Sequence, residues 1–216
     1  MKRLFIFIVG VMMAGVATSR TFDMKQLGAD AKGIKPCTKL INQTIEKAAS
    51  EGGGTIYFPA GTYLTATIHM KSNITLHLES GAIVRFSDRF EDYLPFVTAR
   101  WEGTVMQTLS PLIYAHSADN LTITGRGTLD GNGLKWWLWE FETRKVIKEN
   151  GGKLPSLDKL QQMWVDANKD LEISDYYKPS LERKMFRPPF IQFYECTNIL
   201  IENVKIINSP FWTVNP

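Results

Sequence analysis

After residue 50 the chain alternates short apolar, β-branched runs with Gly, Asn and Pro. Before this pattern, residues 35–50 place Ile41, Ile45 and Ala48 at helical spacing, with Thr38 as the predicted N-cap. A short amphipathic helix is expected there, ending at the glycines of residues 52–54, where the backbone can turn sharply. From residue 55 onward the pattern predicts short strands.

One strand pattern occurs twice with the same spacing. Asn120 lies nine residues after Pro111, and Asn198 lies nine residues after Pro189, while a weaker third copy contains Asn73. Because Asn tolerates left-handed backbone angles, each Asn is predicted to occupy a tight corner. Stacked corners predict a solenoid, and the 47 positions from Asn73 to Asn120 predict about two coils. A β-sandwich with alternating strands is the alternative.

Residues 134–186 interrupt the β pattern and are predicted to form a helical insertion between two coils. Residues 137–150 and 157–169 are charged and helix-prone. Within the second stretch an apolar face is predicted from helical spacing, formed by Leu157, Leu160, Met163 and Trp164.

The first 19 residues have the composition of a secretory signal peptide. Lys2 and Arg3 precede the apolar residues 4–16, and small residues follow at 17–19. The apolar run is shorter than the roughly 18 to 20 residues that a membrane-spanning helix needs. Residues 20–216 are therefore expected to form a single domain that is secreted or periplasmic.

Composition places the chain among ordinary globular proteins. Hydrophobic residues make up 44% and charged residues 22%, which excludes disordered and membrane classes. Removal of residues 1–19 leaves 23 basic against 22 acidic residues, so charge does not indicate a nucleic-acid partner. Cys37 and Cys196 are predicted to be two separate buried thiols rather than a disulfide framework.

Three stretches resemble glycoside hydrolase family 28, the polygalacturonases and their relatives. The first comprises residues 52–63 (GGGTIYFPAGTY) and 71–78 (KSNITLHL), and it indicates fold more than activity. The second is GTLDGNG at 127–133, followed by Trp136 and Trp137. The third comprises RPPFI at 187–191, CTNI at 196–199 and NSPFW at 208–212. The resemblance implies an all-β, right-handed parallel β-helix of the pectin-lyase type with an N-terminal capping helix.

The resemblance also implies an activity, the inverting hydrolysis of α-1,4-galacturonosyl linkages in pectin. Inversion needs an acid and a base about 6.5 to 9.5 Å apart. In the family these are aspartates in an Asn-Thr-Asp motif and an Asp-Asp pair, with a Gly-His-Gly loop and an Arg-x-Lys clamp beyond them. None of these motifs occurs in the sequence. We therefore expect an N-terminal part that stops before the catalytic coils, is inactive by itself and contains no catalytic residue.

The implied partner is a polysaccharide, polygalacturonate or a related pectin, with no cofactor, no metal and no nucleic acid, and the complete protein is expected to be a monomer. Thr213 and Asn215 are the predicted substrate-binding residues. The period of two in the last strand puts them on one face and Trp212 and Val214 on the other. An ordinary outer strand face is the alternative for this pair.

The remaining polar candidates are expected to have structural roles. Asp130 lies in a glycine-rich turn, where a carboxylate commonly caps the local backbone. Trp136 and Trp137 could stack on sugar rings, but anchoring the insertion is the favoured role. The other candidates lack ligand spacing or form a solvated loop, namely His69, His77, His116 and the acidic cluster of Asp88, Glu91 and Asp92.

Two other functional classes remain open. A β-helix that binds polysaccharide without cleaving it would produce no new reducing ends. A polysaccharide lyase on the same scaffold would need Ca²⁺ and a basic residue that removes the proton next to the uronate carboxylate. The GTLDGNG motif with its two tryptophans favours the hydrolase over the lyase.

Overall fold

The computed structural model describes residues 20–101, 103–152, 156–171 and 187–215, so the predicted signal peptide lies outside the described residues. The helices are α1 (Thr38–Ser50), α2 (Leu134–Glu149) and α3 (Lys159–Ala167), with a short 3-10 helix at Phe90–Tyr93. The strands, in chain order, are β1 (Thr21–Asp23), β2 (Lys32–Pro36), β3 (Gly54–Phe58), β4 (Gly61–Thr65), β5 (Ile68–His69), β6 (Ile74–Leu78), β7 (Ala82–Phe86), β8 (Val97–Trp101), β9 (Thr104–Thr108), β10 (Ile113–His116), β11 (Asp119–Gly125), β12 (Thr128–Asp130), β13 (Ile191–Tyr194), β14 (Thr197–Ile201), β15 (Lys205–Ile207) and β16 (Val214–Asn215).

Three parallel sheets contain all of these strands except β8 and β9. Sheet A has the order β1-β3-β6-β11-β14, sheet B has β2-β4-β7-β12-β15, and sheet C has β5-β10-β13-β16. Along the chain, strands of sheets A, B and C follow one another in turn, so each circuit is one coil. The chain is a right-handed parallel β-helix, as predicted, and not a β-sandwich.

The core consists of side chains that stack in columns along the coils. Ile56, Leu76 and Ile123 are aligned in sheet A and are fully buried. Each of these side chains contributes about 1.5–3 kcal/mol through burial. Alternate residues of the same strands point outward, which is why the strands carry an apolar residue at every second position.

The corner before sheet A is formed by the predicted asparagines. Asn73, Asn120 and Asn198 have φ angles of 64°, 59° and 54°. Their side chains form a ladder, in which Asn120 Nδ2 donates to Asn73 Oδ1 at 2.7 Å and Asn198 Nδ2 donates to Asn120 Oδ1 at 2.6 Å. The corner prediction is confirmed, because Asn tolerates the left-handed backbone and its side-chain amide forms the ladder.

The predicted number of coils between Asn73 and Asn120 is wrong. Strand β6 pairs directly with β11, with Thr75 opposite Thr122, so the interval is a single coil. The additional residues form the 3-10 helix and the antiparallel hairpin of β8 and β9, which leaves the coil between β7 and β10. Spacing alone does not distinguish an additional coil from an insertion.

Helix α1 packs against β3, β5 and β6 and buries Ile41, Ile45 and Ala48, as predicted. The predicted N-cap is wrong, since Cys37 occupies that position and provides no side-chain cap. The Thr38 hydroxyl instead accepts a hydrogen bond from the Ala66 amide at 2.7 Å. That contact ties the helix to the chain segment that follows β4.

Helices α2 and α3 lie between β12 and β13, where the helical insertion was predicted, although residues 153–155 and 172–186 lie outside the described part of the chain. The predicted apolar face of the second helix is wrong at Met163, which is 39% exposed. Asp158 caps α3 through a capping box with Gln161, and the helix buries Gln161 and Trp164.

The hairpin and the helices leave the solenoid at the same corner, between sheets B and C, in successive coils. They pack on each other, because Trp101 and Met106 of the hairpin share a cluster with Trp164 of α3. Asn168 joins the two insertions by two hydrogen bonds of 2.8 Å to the backbone of Gln107. We call the hairpin (97–108), α2 and α3 together the corner wall.

Both cysteines are free, so the prediction of separate thiols is confirmed, and the predicted burial is correct for Cys37 but not for Cys196, which is half-buried. Within the described ranges, no helix has the length and apolarity needed to cross a membrane.

Candidate functional site

Of the predicted substrate-binding residues, Asn215 lies in strand β16 and Thr213 directly precedes it, and β16 pairs in register with β13. Val214 lies opposite Ile191, and Asn215 lies opposite Gln192. The Val214 column continues through Ile191 into the core, and the Asn215 column lies on the outer face of sheet C. Val214 and Asn215 therefore lie on opposite faces as predicted, whereas Trp212 and Thr213 precede the strand. Val214 is nevertheless 51% exposed, since among the described strands β16 has β13 as its one neighbour.

The outer face of sheet C is covered by the hairpin of the corner wall. The carbonyl oxygen of Arg100 accepts hydrogen bonds from Gln192 Nε2 at 2.7 Å and from Asn215 Nδ2 at 3.2 Å. Tyr114 donates its hydroxyl to Thr98 O at 2.6 Å, and burial raises the pKa of Tyr114 to about 12. Asn215 is thus buried in a polar layer between strand and hairpin. Thr213 is exposed, and the role of both residues in substrate binding stays a prediction.

The turn at residues 208–210 leads into β16 and is held by the GTLDGNG motif and α2. Gly133 N donates to Asn208 O at 2.9 Å, and a Cβ at Gly133 would lie 2.6 Å from that oxygen, so a glycine is required. Trp137 Nε1 donates to Ser209 O at 3.0 Å. Two of the motifs that carry the family resemblance therefore contact each other across adjacent coils.

Arg187 also supports this turn. It begins the RPPFI stretch but was not among the site residues predicted from the sequence. Its guanidinium donates to Pro210 O at 2.8 Å and lies 3.9 Å from the Trp137 ring centroid and 4.8 Å from that of Phe211. Its Nε is 3.7 Å from Glu140 Oε2 of α2, and both side chains are less than 10% exposed.

A sequence signal for Glu140 exists in the spacing of α2. The buried positions of the helix are i, i+4, i+7 and i+11, and Glu140 is the one acidic residue among them: Trp136, Glu140, Thr143 and Ile147. A carboxylate on the buried face of an amphipathic helix requires a partner of opposite charge. The spacing does not reveal that this partner is Arg187.

Asp130 connects three successive coils. Its Oδ2 pairs with Arg85 Nε at 3.1 Å, and its Oδ1 accepts hydrogen bonds from Asn208 Nδ2 at 2.8 Å and from the Asn132 amide at 3.1 Å. The predicted backbone-capping role is confirmed by the contact with Asn132. These contacts use both carboxylate oxygens, which favours a structural role.

The histidines lie singly, and the described residues contain no group of three His, Cys, Asp or Glu side chains that could hold a metal ion. His69 packs edge-on against Tyr114, and burial lowers its pKa. His77 is near Glu79, with 3.9 Å between Nε2 and Oε2, and His116 pairs with Glu195 at 3.1 Å.

The acidic cluster forms a loop that is held by its own ion pair. Arg89 binds the Asp92 carboxylate, and this hydrogen bond lowers the pKa of Asp92. Ser87 Oγ donates to the same carboxylate at 2.6 Å.

The fully buried Trp136 stacks on Phe90 with 4.2 Å between ring centroids, so it anchors the insertion as expected. Trp137 is 39% exposed.

The comparisons with known proteins agree with this architecture. The family described as rhamnogalacturonase A/epimerase, pectate lyase-like, matches residues 21–137, which is more than half of the chain. The chain belongs to this family. The pectate lyase-like match ends at Trp137, so Arg187, Thr213 and Asn215 lie beyond the matched residues.

Solved structures and curated relatives extend the similarity of this pectate lyase-like chain. A hyperthermoactive exopolygalacturonase from Thermotoga maritima has a TM-score of 0.68 and 34% identity, covering 90% of this chain and 43% of its own. A family 28 exopolygalacturonase from Yersinia enterocolitica shares the fold, with a TM-score of 0.62 and 21% identity, covering 90% of this chain and 36% of its own. A probable polygalacturonase of Vitis vinifera is 28% identical over 178 residues, which are 80% of this chain and 28% of that protein.

The resemblance to glycoside hydrolase family 28 is thereby confirmed for this pectate lyase-like chain. The chain spans less than half the length of each of these three proteins.

Proposed function

We propose that the complete protein is an exported enzyme that hydrolyses α-1,4-galacturonosyl linkages of pectin from chain ends, and that these residues build its N-terminal coils. The observation that carries this proposal is the 34% identity to the Thermotoga maritima exopolygalacturonase over 90% of the chain. A relative from Dickeya chrysanthemi, 29% identical over 126 residues, is named an exo-poly-alpha-D-galacturonosidase. We also propose that the helical insertion and the β-helix coils belong to one domain of residues 20–216.

The position of the corner wall supports action at chain ends. The wall rises at the corner between sheets B and C and packs over the outer face of sheet C, beside β16. A wall at one end of a binding groove leaves room for the terminus of a polysaccharide but not for a continuous chain. Thr213 is exposed beside this wall and is the proposed contact with the substrate.

The chemistry is proposed to be inverting, with an acid on the leaving oxygen and a base on the attacking water. The sequence contains none of the four family motifs that supply the catalytic and substrate-clamping residues. We therefore propose that both carboxylates come from other coils of the complete protein and that this part alone is inactive. Residues 1–19 are proposed to direct export, and the complete protein is proposed to act as a monomer without a cofactor.

The test compares the complete gene product with residues 20–216 on polygalacturonate. Reducing ends are measured together with product size by anion-exchange chromatography, and the first-formed anomer is followed by NMR. We expect short products of constant size from the earliest time, β-anomers first, and no hydrolysis by residues 20–216. A broad range of early oligomers would contradict action at chain ends, and α-anomers formed first would contradict inversion.

A β-helix that binds polysaccharide without cleaving it is the second candidate, because residues 1–216 carry the family's fold without its four motifs. It predicts sedimentation of the complete gene product with insoluble pectin and no new reducing ends. Products with ultraviolet absorbance from an unsaturated bond would instead indicate a lyase.

A further inference from the structure

The turn at residues 208–210 leads directly into the segment that contains β16. The strand has two residues and, among the described strands, pairs with β13 alone. Contacts made by the turn before a strand help to hold the side chains of that strand in one position. The turn contacts α2 through Trp137 and Arg187, as described above.

The geometry around Arg187 selects a guanidinium. The planar group is placed against both the Trp137 and Phe211 rings while one nitrogen donates to the Pro210 carbonyl oxygen. A lysine ammonium could donate to the carbonyl but could not stack on two rings. Arg187 therefore links α2, the turn and the first residue of the Phe211–Asn215 segment through one side chain.

Glu140 holds Arg187 in this arrangement. Its carboxylate is 4% exposed and contacts Arg187 on one oxygen and Arg144 Nε, at 2.6 Å, on the other. Arg144 is 57% exposed and is not in contact with the turn in any described interaction. The two arginines thus share one buried acid but differ in what else they bind.

We propose that Arg187, oriented by Glu140 of α2, is a positioning residue that fixes residues 211–215 for polysaccharide binding. The insertion helix α2 then determines substrate affinity without touching the substrate. This inference rests on the proposed function in one respect, namely that the segment of residues 211–215 contacts the polysaccharide through Thr213.

The experiment uses the complete gene product with the substitutions R187M, R187K and E140Q, and with R144M as the matched control. R144M removes the same charge from the same carboxylate but leaves the turn contacts in place. Two properties are measured, the amide hydrogen exchange of residues 211–215 and the KM and kcat for polygalacturonate.

We expect R187M and E140Q to raise amide exchange in residues 211–215 and to raise KM about tenfold with kcat within about twofold, because misplaced binding groups weaken productive binding. R187K is expected to resemble R187M in amide exchange and in KM. R144M is expected to match the wild type in both. Unchanged exchange and KM in R187M would overturn the proposal. Uniformly raised exchange over all coils with unchanged KM would also overturn it, since that is the behaviour of a general stabilising contact.

The two proposals fail in different ways. A wild-type protein that releases no sugar from polygalacturonate refutes the proposed function. Amide exchange still tests the positioning role in that case, with polygalacturonate binding measured by calorimetry in place of KM. Local exchange without any change in affinity would then refute the inference alone.

Discussion

Replacement of Gly125 by Ala tests whether the close stacking of coils limits the stability of this β-helix. Gly125 ends β11 with a φ of 115°, and an ideal Cβ there would lie 2.0 Å from the carbonyl oxygen of Leu78 in the preceding coil. That oxygen accepts hydrogen bonds from the amides of Arg126 at 2.8 Å and Gly127 at 3.1 Å. The methyl group and this junction between coils cannot occupy the same space.

The expected loss follows from these contacts. Left-handed backbone costs a residue with a Cβ about 1–2 kcal/mol. The two coils must separate by more than about 1 Å to accept the methyl group, which weakens two hydrogen bonds of about 1 kcal/mol each. We therefore expect G125A to lower the free energy of unfolding by about 3–4 kcal/mol.

Gly28 provides the matched control, because its φ is 94° and a Cβ there would meet no atom within 4 Å. G28A carries the backbone cost alone and should lower the free energy of unfolding by about 1–2 kcal/mol. Urea unfolding of the complete gene product, followed by tryptophan fluorescence, measures both variants if the m-value is unchanged. Equal losses in the two variants would refute the reasoning, since the contact with Leu78 would then contribute nothing.

Three further predictions concern other parts of the fold. N120A should lower the free energy of unfolding by about 2–3 kcal/mol, because Ala loses two ladder hydrogen bonds and strains at φ 59°, and N120G should be milder in the same denaturation assay. The pKa of His69 is lowered in the folded state, so the unfolded chain binds the proton more tightly and the free energy of unfolding should fall as pH drops below about 6.5. H69Q should flatten this pH dependence in unfolding titrations. The same pH dependence in H69Q and the wild type would contradict the prediction. Mass spectrometry after alkylation of the denatured, non-reduced protein should show both Cys37 and Cys196 labelled. Unlabelled cysteines and a mass lower by two hydrogen atoms would instead reveal a disulfide.

The fold could be predicted from the sequence because the solenoid repeats a local rule. Asn73, Asn120 and Asn198 each start a β-branched alternating run, and each was expected at a corner before any contact was known. The coil count could not be predicted in the same way. A hairpin insertion adds residues to one coil without altering the pattern on either side, so the length between two corners has no unique meaning.

The contacts around the candidate site were predictable only in part. The period of two correctly places Val214 and Asn215 on opposite faces of β16. It cannot predict that Asn215 is covered, because the covering Arg100 carbonyl belongs to a hairpin from an earlier coil. The pairing of Glu140 with Arg187 has the same origin, since two distant segments meet only after the coils have stacked.

The stacking of coils also explains why both insertions build one wall. In a parallel β-helix each corner lies directly above the same corner of the coil below, so insertions at the B-to-C corner of successive coils must meet. The hairpin supplies Trp101 and the helices supply Trp164 to their shared cluster. In the following coil, the strand that comes after this corner along the chain is β16, which therefore lies against the wall. A substitution that separates the insertions should consequently alter β16 as well as the wall, and amide exchange of residues 211–215 in W164A would measure that coupling.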